Sequence, residues 1–202
     1  MTVQVKDKMT FADIKYEIIE IDNQDIERER ELQRKLVGFG KTFRRKEFNC
    51  AFFPQNYGMN PGGTTCSACW RGYICSYVVR EEQLYIDSLE LTEATGFYPA
   101  INGVLSCPCN GIFDQRYEGM NLPLAFNGMM EIGRYVKDAK NQVNEYTLQS
   151  EFFLTFQNGT LISTITKEEM DERRRIYIET HKDEINAKLA KLLGEEELEE
   201  ES

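Results

Sequence analysis

The chain has 202 residues, of which 41% are hydrophobic and 11% aromatic, with a formal net charge of −10 at pH 7. That length supports one sizeable domain, or a domain with an appended helix, and that apolar content excludes global disorder. Much of the acidity is local, since Glu195, Glu196, Glu197, Glu199, Glu200 and Glu201 form a solvated tail; a nucleic-acid mimic, which needs charge spread over a folded surface, is disfavoured.

Met1 to Thr10 mixes charges and has no apolar run, so no secretory signal is expected, and no stretch approaches the ~20 apolar residues of a membrane span. Both point to a cytoplasmic protein with reduced thiols. Ile14, Tyr16 and Ile18 alternate with Lys15, Glu17 and Ile19, the period of a half-buried strand. Asn23 and Asp25 then offer N-caps to a surface helix near 23–37, with a narrow stripe of Ile26, Leu32, Leu36 and Val37, closed by Gly38.

Phe48 to Thr65 is rich in Asn, Pro and Gly, and Asn60-Pro61-Gly62-Gly63 is a strong turn signal. Trp70–Arg80 and Leu84–Leu91 read as a β-hairpin around Glu81-Glu82-Gln83. A second Gly/Pro-rich loop spans Thr95 to Leu122. Phe126 to Val136 alternates as another strand. Phe152, Leu154 and Phe156 approach Asn158-Gly159, and Leu161 and Ile165 leave it, which makes a tight hairpin on a type I′ turn. Thr166 and Glu169 form a capping box for helical sequence that runs to Leu193 and stops at Gly194. Ile178, Ile185, Leu189 and Leu192 form an apolar stripe that the domain's own sheet would cover, the alternative being a partner or self-association surface.

These elements predict an α+β fold: a mainly antiparallel sheet of about five to seven strands built from hairpins, a surface helix near the N-terminus and a helical C-terminus. The expected organisation is a β-rich domain over 1–166, a C-terminal helix or helix pair over 167–194 packing on the sheet, and an acidic disordered tail over 195–202.

The chemistry-bearing residues are few. Cys66, Cys69, Cys107 and Cys109 stand in two tight pairs, the spacing at which thiolates converge on a soft metal, and they would close a tetrahedral structural zinc site. Cys-x-x-Cys with Cys-x-Cys is an uncommon zinc pattern, however, and cysteine is among the most buried residue types, so unliganded thiols are the weightier reading. A redox Cys-x-x-Cys sits at a helix N-terminus, whereas Trp70-Arg71-Gly72-Tyr73 reads as strand. Arg71 and Tyr73 beside two glycine-rich loops could cradle a carboxylate or phosphate, the plainer alternative being a core tyrosine and an arginine paired with a neighbouring acid. His181 alone on a charged helix reads as a surface or cap residue. Gly38-Phe39-Gly40-Lys41-Thr42 lacks the P-loop's upstream glycine, that position being Lys35. Lys41, Arg44, Arg45 and Lys46, interleaved with Phe43 and Phe48, form the basic cluster through which nucleic acid would bind.

Trp70-Arg71-Gly72-Tyr73, Leu84-Tyr85-Ile86, Phe126-Asn127-Gly128 with Ile132, and Phe152–Gly159 follow in an order that resembles a set of uncharacterised small bacterial β-rich proteins. In those proteins an R-G-Y strand starts a hairpin and an F-x-G strand follows. The resemblance covers Thr64 to Thr166; it implies a soluble β-rich core and carries no functional residue.

No nucleophile–base pair, phosphate loop or cofactor signature is visible, so the leading expectation is a non-enzymatic cytosolic interaction protein, an accessory or immunity-type binder from a bacterium or phage, whose partner is another protein. Its function would lie on the loops Phe52–Thr65 and Gly96–Leu122. The alternatives are a zinc-containing or small-molecule enzyme with its site where Cys66, Cys69, Cys107 and Cys109 meet Arg71 and Tyr73, and nucleic-acid binding through Lys41–Lys46.

Overall fold

The computed structural model describes residues 5–25, 50–62, 69, 71–137 and 146–189. They comprise β1 (Lys8–Phe11), β2 (Ile14–Asn23), β3 (Tyr73–Arg80), β4 (Gln83–Leu91), β5 (Cys107–Pro108), β6 (Gln115–Pro123), β7 (Gly128–Lys137), β8 (Tyr146–Gln157), β9 (Thr160–Thr166) and a helix α1 (Lys167–Thr180). The chain divides into two compact units, Met1–Thr164 and Ile165–Ser202.

In the first unit, alternating apolar sequence becomes strand because each inward side chain loses water while the backbone pairs with its neighbours. The nine strands form one sheet in the order β3-β1-β2-β7-β8-β9-β4-β6-β5, and an added β3–β4 pairing closes the first seven into a ring. Closure matters physically because it removes the free edges that a flat sheet would expose. One edge of β4 pairs along its length with β3. Its other edge is shared: β9 meets it at Gln83, and β6 takes over from Tyr85 to Leu91. Most neighbours are antiparallel, but β1 runs parallel to β3, with Lys8 opposite Ser76.

Three hairpins turn on two residues of positive φ, as a type I′ turn requires. Ala12-Asp13 sits at +48° and +61°, Glu81-Glu82 at +48° and +64°, and Asn158-Gly159 at +48° and +79°. Met9, Tyr16, Ile18, Tyr77, Leu84, Ile86, Met130, Ile132, Leu154 and Phe156 point inward into a single apolar core, joined by Phe52, Phe53 and Met59 from the preceding loop.

The expected α+β architecture is corrected to a mostly β one. Among the described residues the sheet has nine strands, not five to seven, and no helix occurs near the N-terminus. The surface helix read near 23–37 fails at its start. Asn23 ends β2 opposite Gly128, and its Oδ1 accepts from the Asp25 N–H at 2.8 Å. The same short amide that could cap a helix thus closes an Asx-turn. Asn23 is also buried, donating through Nδ2 to the Cys50 carbonyl at 2.8 Å. The remainder of that stretch, 26–37, lies outside the described residues.

In the second unit the capping box is present as the sequence requires: Thr166 accepts from the Glu169 N–H, and the Glu169 carboxylate accepts from the Thr166 N–H. His181 closes α1, and helical geometry resumes over 182–189. No residue of α1 is buried. No helix among the described residues is long and apolar enough to cross a membrane.

Candidate functional site

The two loops singled out from the sequence meet in space, and Glu93 joins them. Glu93 follows β4 and is buried. Its Oε1 accepts from the Asn60 N–H at 3.0 Å. Its Oε2 accepts from the Thr95 N–H at 2.6 Å, the Thr95 hydroxyl at 2.8 Å and the Phe97 N–H at 2.9 Å. Burial on its own would raise the carboxyl pKa; the donors of Phe97, Asn60 and Thr95 outweigh it and hold the group below its ordinary value. The backbone ties the same loops further, with Ala94 N–H on the Asn60 carbonyl at 3.1 Å and Gly62 N–H on the Thr92 carbonyl at 3.2 Å.

Beyond Glu93 the chain stays pinned to the sheet. Tyr117 donates its hydroxyl to the Pro99 carbonyl at 2.8 Å, and Asn102 Nδ2 donates to the Met120 carbonyl at 2.7 Å. Ile101 is fully buried and pairs with Val104 across a two-residue turn. Yet this anchored loop and the one after it turn large apolar side chains outward: Phe97 is 54% exposed, Leu105 73% and Ile112 47%. The Phe97 ring lies beside Gly58, where a Cβ would stand 3.7 Å from it, so the first loop borders the same surface. Sequence reasoning named both loops but missed Glu93, Phe97 and Leu105. An acidic residue followed by Thr95-Gly96 is the local signal for a carboxylate that collects loop amides.

Arg71 and Tyr73 are brought together, but around an internal carboxylate. Arg71 Nη2 is paired with Asp7 Oδ1, which also accepts from the Cys75 N–H at 2.7 Å. Arg71 Nε donates to the Tyr73 carbonyl at 2.8 Å, and its guanidinium lies 4.6 Å from the centre of the Tyr73 ring. Burial works against the arginine's charge; Asp7 more than offsets it and keeps Arg71 protonated. The Tyr73 hydroxyl donates to the Phe52 carbonyl at 3.2 Å and stands 3.2 Å from Cys50 Sγ. Asp7 Oδ2 and the Tyr77 hydroxyl are buried with no hydrogen-bond partner among the described residues. Burial pushes the Tyr73 and Tyr77 phenols and the Cys75 thiol well up, so all three stay neutral.

Cys69 is buried beside this cluster and donates its thiol to the Tyr73 carbonyl at 3.2 Å; burial, partly countered by Arg71, raises its pKa. Cys107 is exposed on β5, and Cys109 just beyond it is partly buried. Burial first, then the Glu90 carboxylate, raise the Cys109 pKa. Cys66, the fourth member of the zinc set, lies outside the described residues, as do Trp70 and the basic cluster Lys41–Lys46. Among the described residues no three His, Cys, Asp or Glu side chains converge on a point that would hold a metal ion. His181 stacks on Tyr177 with ring centres 4.2 Å apart, a helix-end contact.

A scan against protein-family models and searches of curated proteins and of solved structures found no match.

Proposed function

We propose that this chain is a non-enzymatic binding protein that docks another protein on the surface formed by its 52–62 and 94–112 loops. The observation that carries this reading is a loop fixed at several points that still turns Phe97 and Leu105 into water. Large apolar side chains held outward by a fixed backbone are candidate contact points for a partner. A backbone already ordered before binding loses little conformational entropy on association. The buried Cys/Tyr/Arg/Asp cluster supports the same reading from the other side. Its neutral thiol and phenols are poor nucleophiles, and its one arginine is already paired with a carboxylate.

The test is site-specific photocrosslinking. A photoreactive residue at Leu105 should give a discrete protein adduct in cells, lost on adding Phe97→Ser, whereas one at the exposed Asn158 should not. No adduct at Leu105 above that at Asn158 would overturn the proposal.

A further inference from the structure

We propose that Cys107 and Cys109 form a two-thiolate site for a single soft monovalent cation of the Cu(I) class. Of the described cysteines, Cys50, Cys69 and Cys75 are no more than 2% exposed, while these two lie at the surface. Among the described residues β5 is the outermost strand, and none of them pairs beyond it. Cys107 stands opposite Arg116, and the Cys109 N–H donates to the Asp114 carbonyl at 3.1 Å, so the strand geometry continues to Cys109. Residues two apart on a strand point to the same face. Continuation of that register past the end of β5 at Pro108 places both cysteines on one face, and Cys109 is within electrostatic reach of Glu90, Arg116, Cys107 and Asp114.

The dimensions suit a digonal ion. Side chains two residues apart on a strand stand ~6.7 Å apart. Two sulfurs on one ion at ~2.3 Å each span ~4.6 Å, so each must lean inward by only about 1 Å. The thiols now donate to backbone carbonyls, Cys107 to Arg116 at 3.5 Å and Cys109 to Phe113 at 2.9 Å, and a rotation about χ1 exchanges each contact for the ion. Pro108 between them fixes φ and, having no N–H, also keeps the outer edge of β5 from pairing with a further strand. Two thiolates half-fill the tetrahedral shell of zinc, and no third described ligand converges there. A d10 monovalent ion is satisfied by two soft sulfurs alone. On binding, each thiol releases its proton to water and donates a sulfur lone pair. The ion arrives and leaves as Cu(I), so no electron is transferred.

The experiment is an anaerobic competition between the fully reduced full-length chain and a chromogenic Cu(I) chelator. One equivalent of Cu(I) should be withdrawn per chain, with two sulfur neighbours by X-ray absorption, and the capture should be lost in both Cys107→Ser and Cys109→Ser. Both variants replace surface thiols and should unfold in urea like the parent, which separates loss of the site from loss of the fold. No withdrawal, half an equivalent per chain, or capture unaffected by either serine would each overturn the proposal. The last result would place the ion on other thiols. Cys107 and Cys109 lie within the 94–112 stretch of the proposed docking surface, and that surface has its own test in the Leu105 adduct.

Discussion

Glu93→Gln keeps the volume of the side chain that joins the two loops, removes its charge and turns one acceptor into a donor. The amide oxygen will take the Oε2 position, where three donors converge, leaving the NH2 group against the Asn60 N–H. One hydrogen bond becomes a donor–donor contact, and three lose the assistance of charge. A hydrogen bond to a charged group contributes about 1.5–3 kcal/mol and a neutral one about 1 kcal/mol, so the expected loss is at least ~3 kcal/mol. The pH dependence gives the sharper test. Because the folded pKa is depressed, the carboxylate's contribution is fully present above the unfolded value of ~4.3 and is lost as the pH falls through the folded value. Urea unfolding of both proteins should therefore show a constant gap from pH 7 to 5 that narrows below about pH 4. A variant within about 0.5 kcal/mol of the parent at pH 7, or a gap unchanged down to pH 3, would refute the reasoning.

Arg71→Ala leaves Asp7 buried without its counter-charge and should destabilise by about 3 kcal/mol in urea unfolding, the low end for a broken buried pair because Arg71 is 20% exposed. Gly159→Ala adds a Cβ that would fall 1.8 Å from the Leu124 carbonyl oxygen at a φ of +79°, so a loss of at least ~3 kcal/mol is expected, whereas Asn158→Gly in the same turn should change stability by less than about 0.5 kcal/mol. Phe97→Ser combined with Leu105→Ser should leave the urea midpoint nearly unchanged while removing partner capture; a large stability loss would mean these side chains belong to the core. In native protein a thiol reagent should modify Cys107 quickly, Cys109 more slowly, and Cys50, Cys69 and Cys75 only on unfolding, as peptide mapping after timed quenching will show.

The sequence alone determined the features whose causes lie within a few residues. Asn158-Gly159 dictates its turn because both positions accept positive φ, Thr166 with Glu169 caps α1, alternation places β2, β7 and β8, and strand-forming composition places β3 and β4. It also marked, by their turn residues, both loops that Glu93 joins. β6 stayed hidden because its buried residues are only Tyr117 and Met120, interrupted by Gly119 and Asn121 in left-handed conformation. The tertiary structure decided the rest. Asn23 could cap a helix or close an Asx-turn with the same side chain, and its burial against Cys50 selected the turn. Arg71 found Asp7 across 64 residues, and Glu93 found Asn60 across 33. No local pattern encodes such pairs, because a buried charge takes whichever partner the closed ring of strands brings within reach, and leaving it unpaired costs more than the loop closure that unites them.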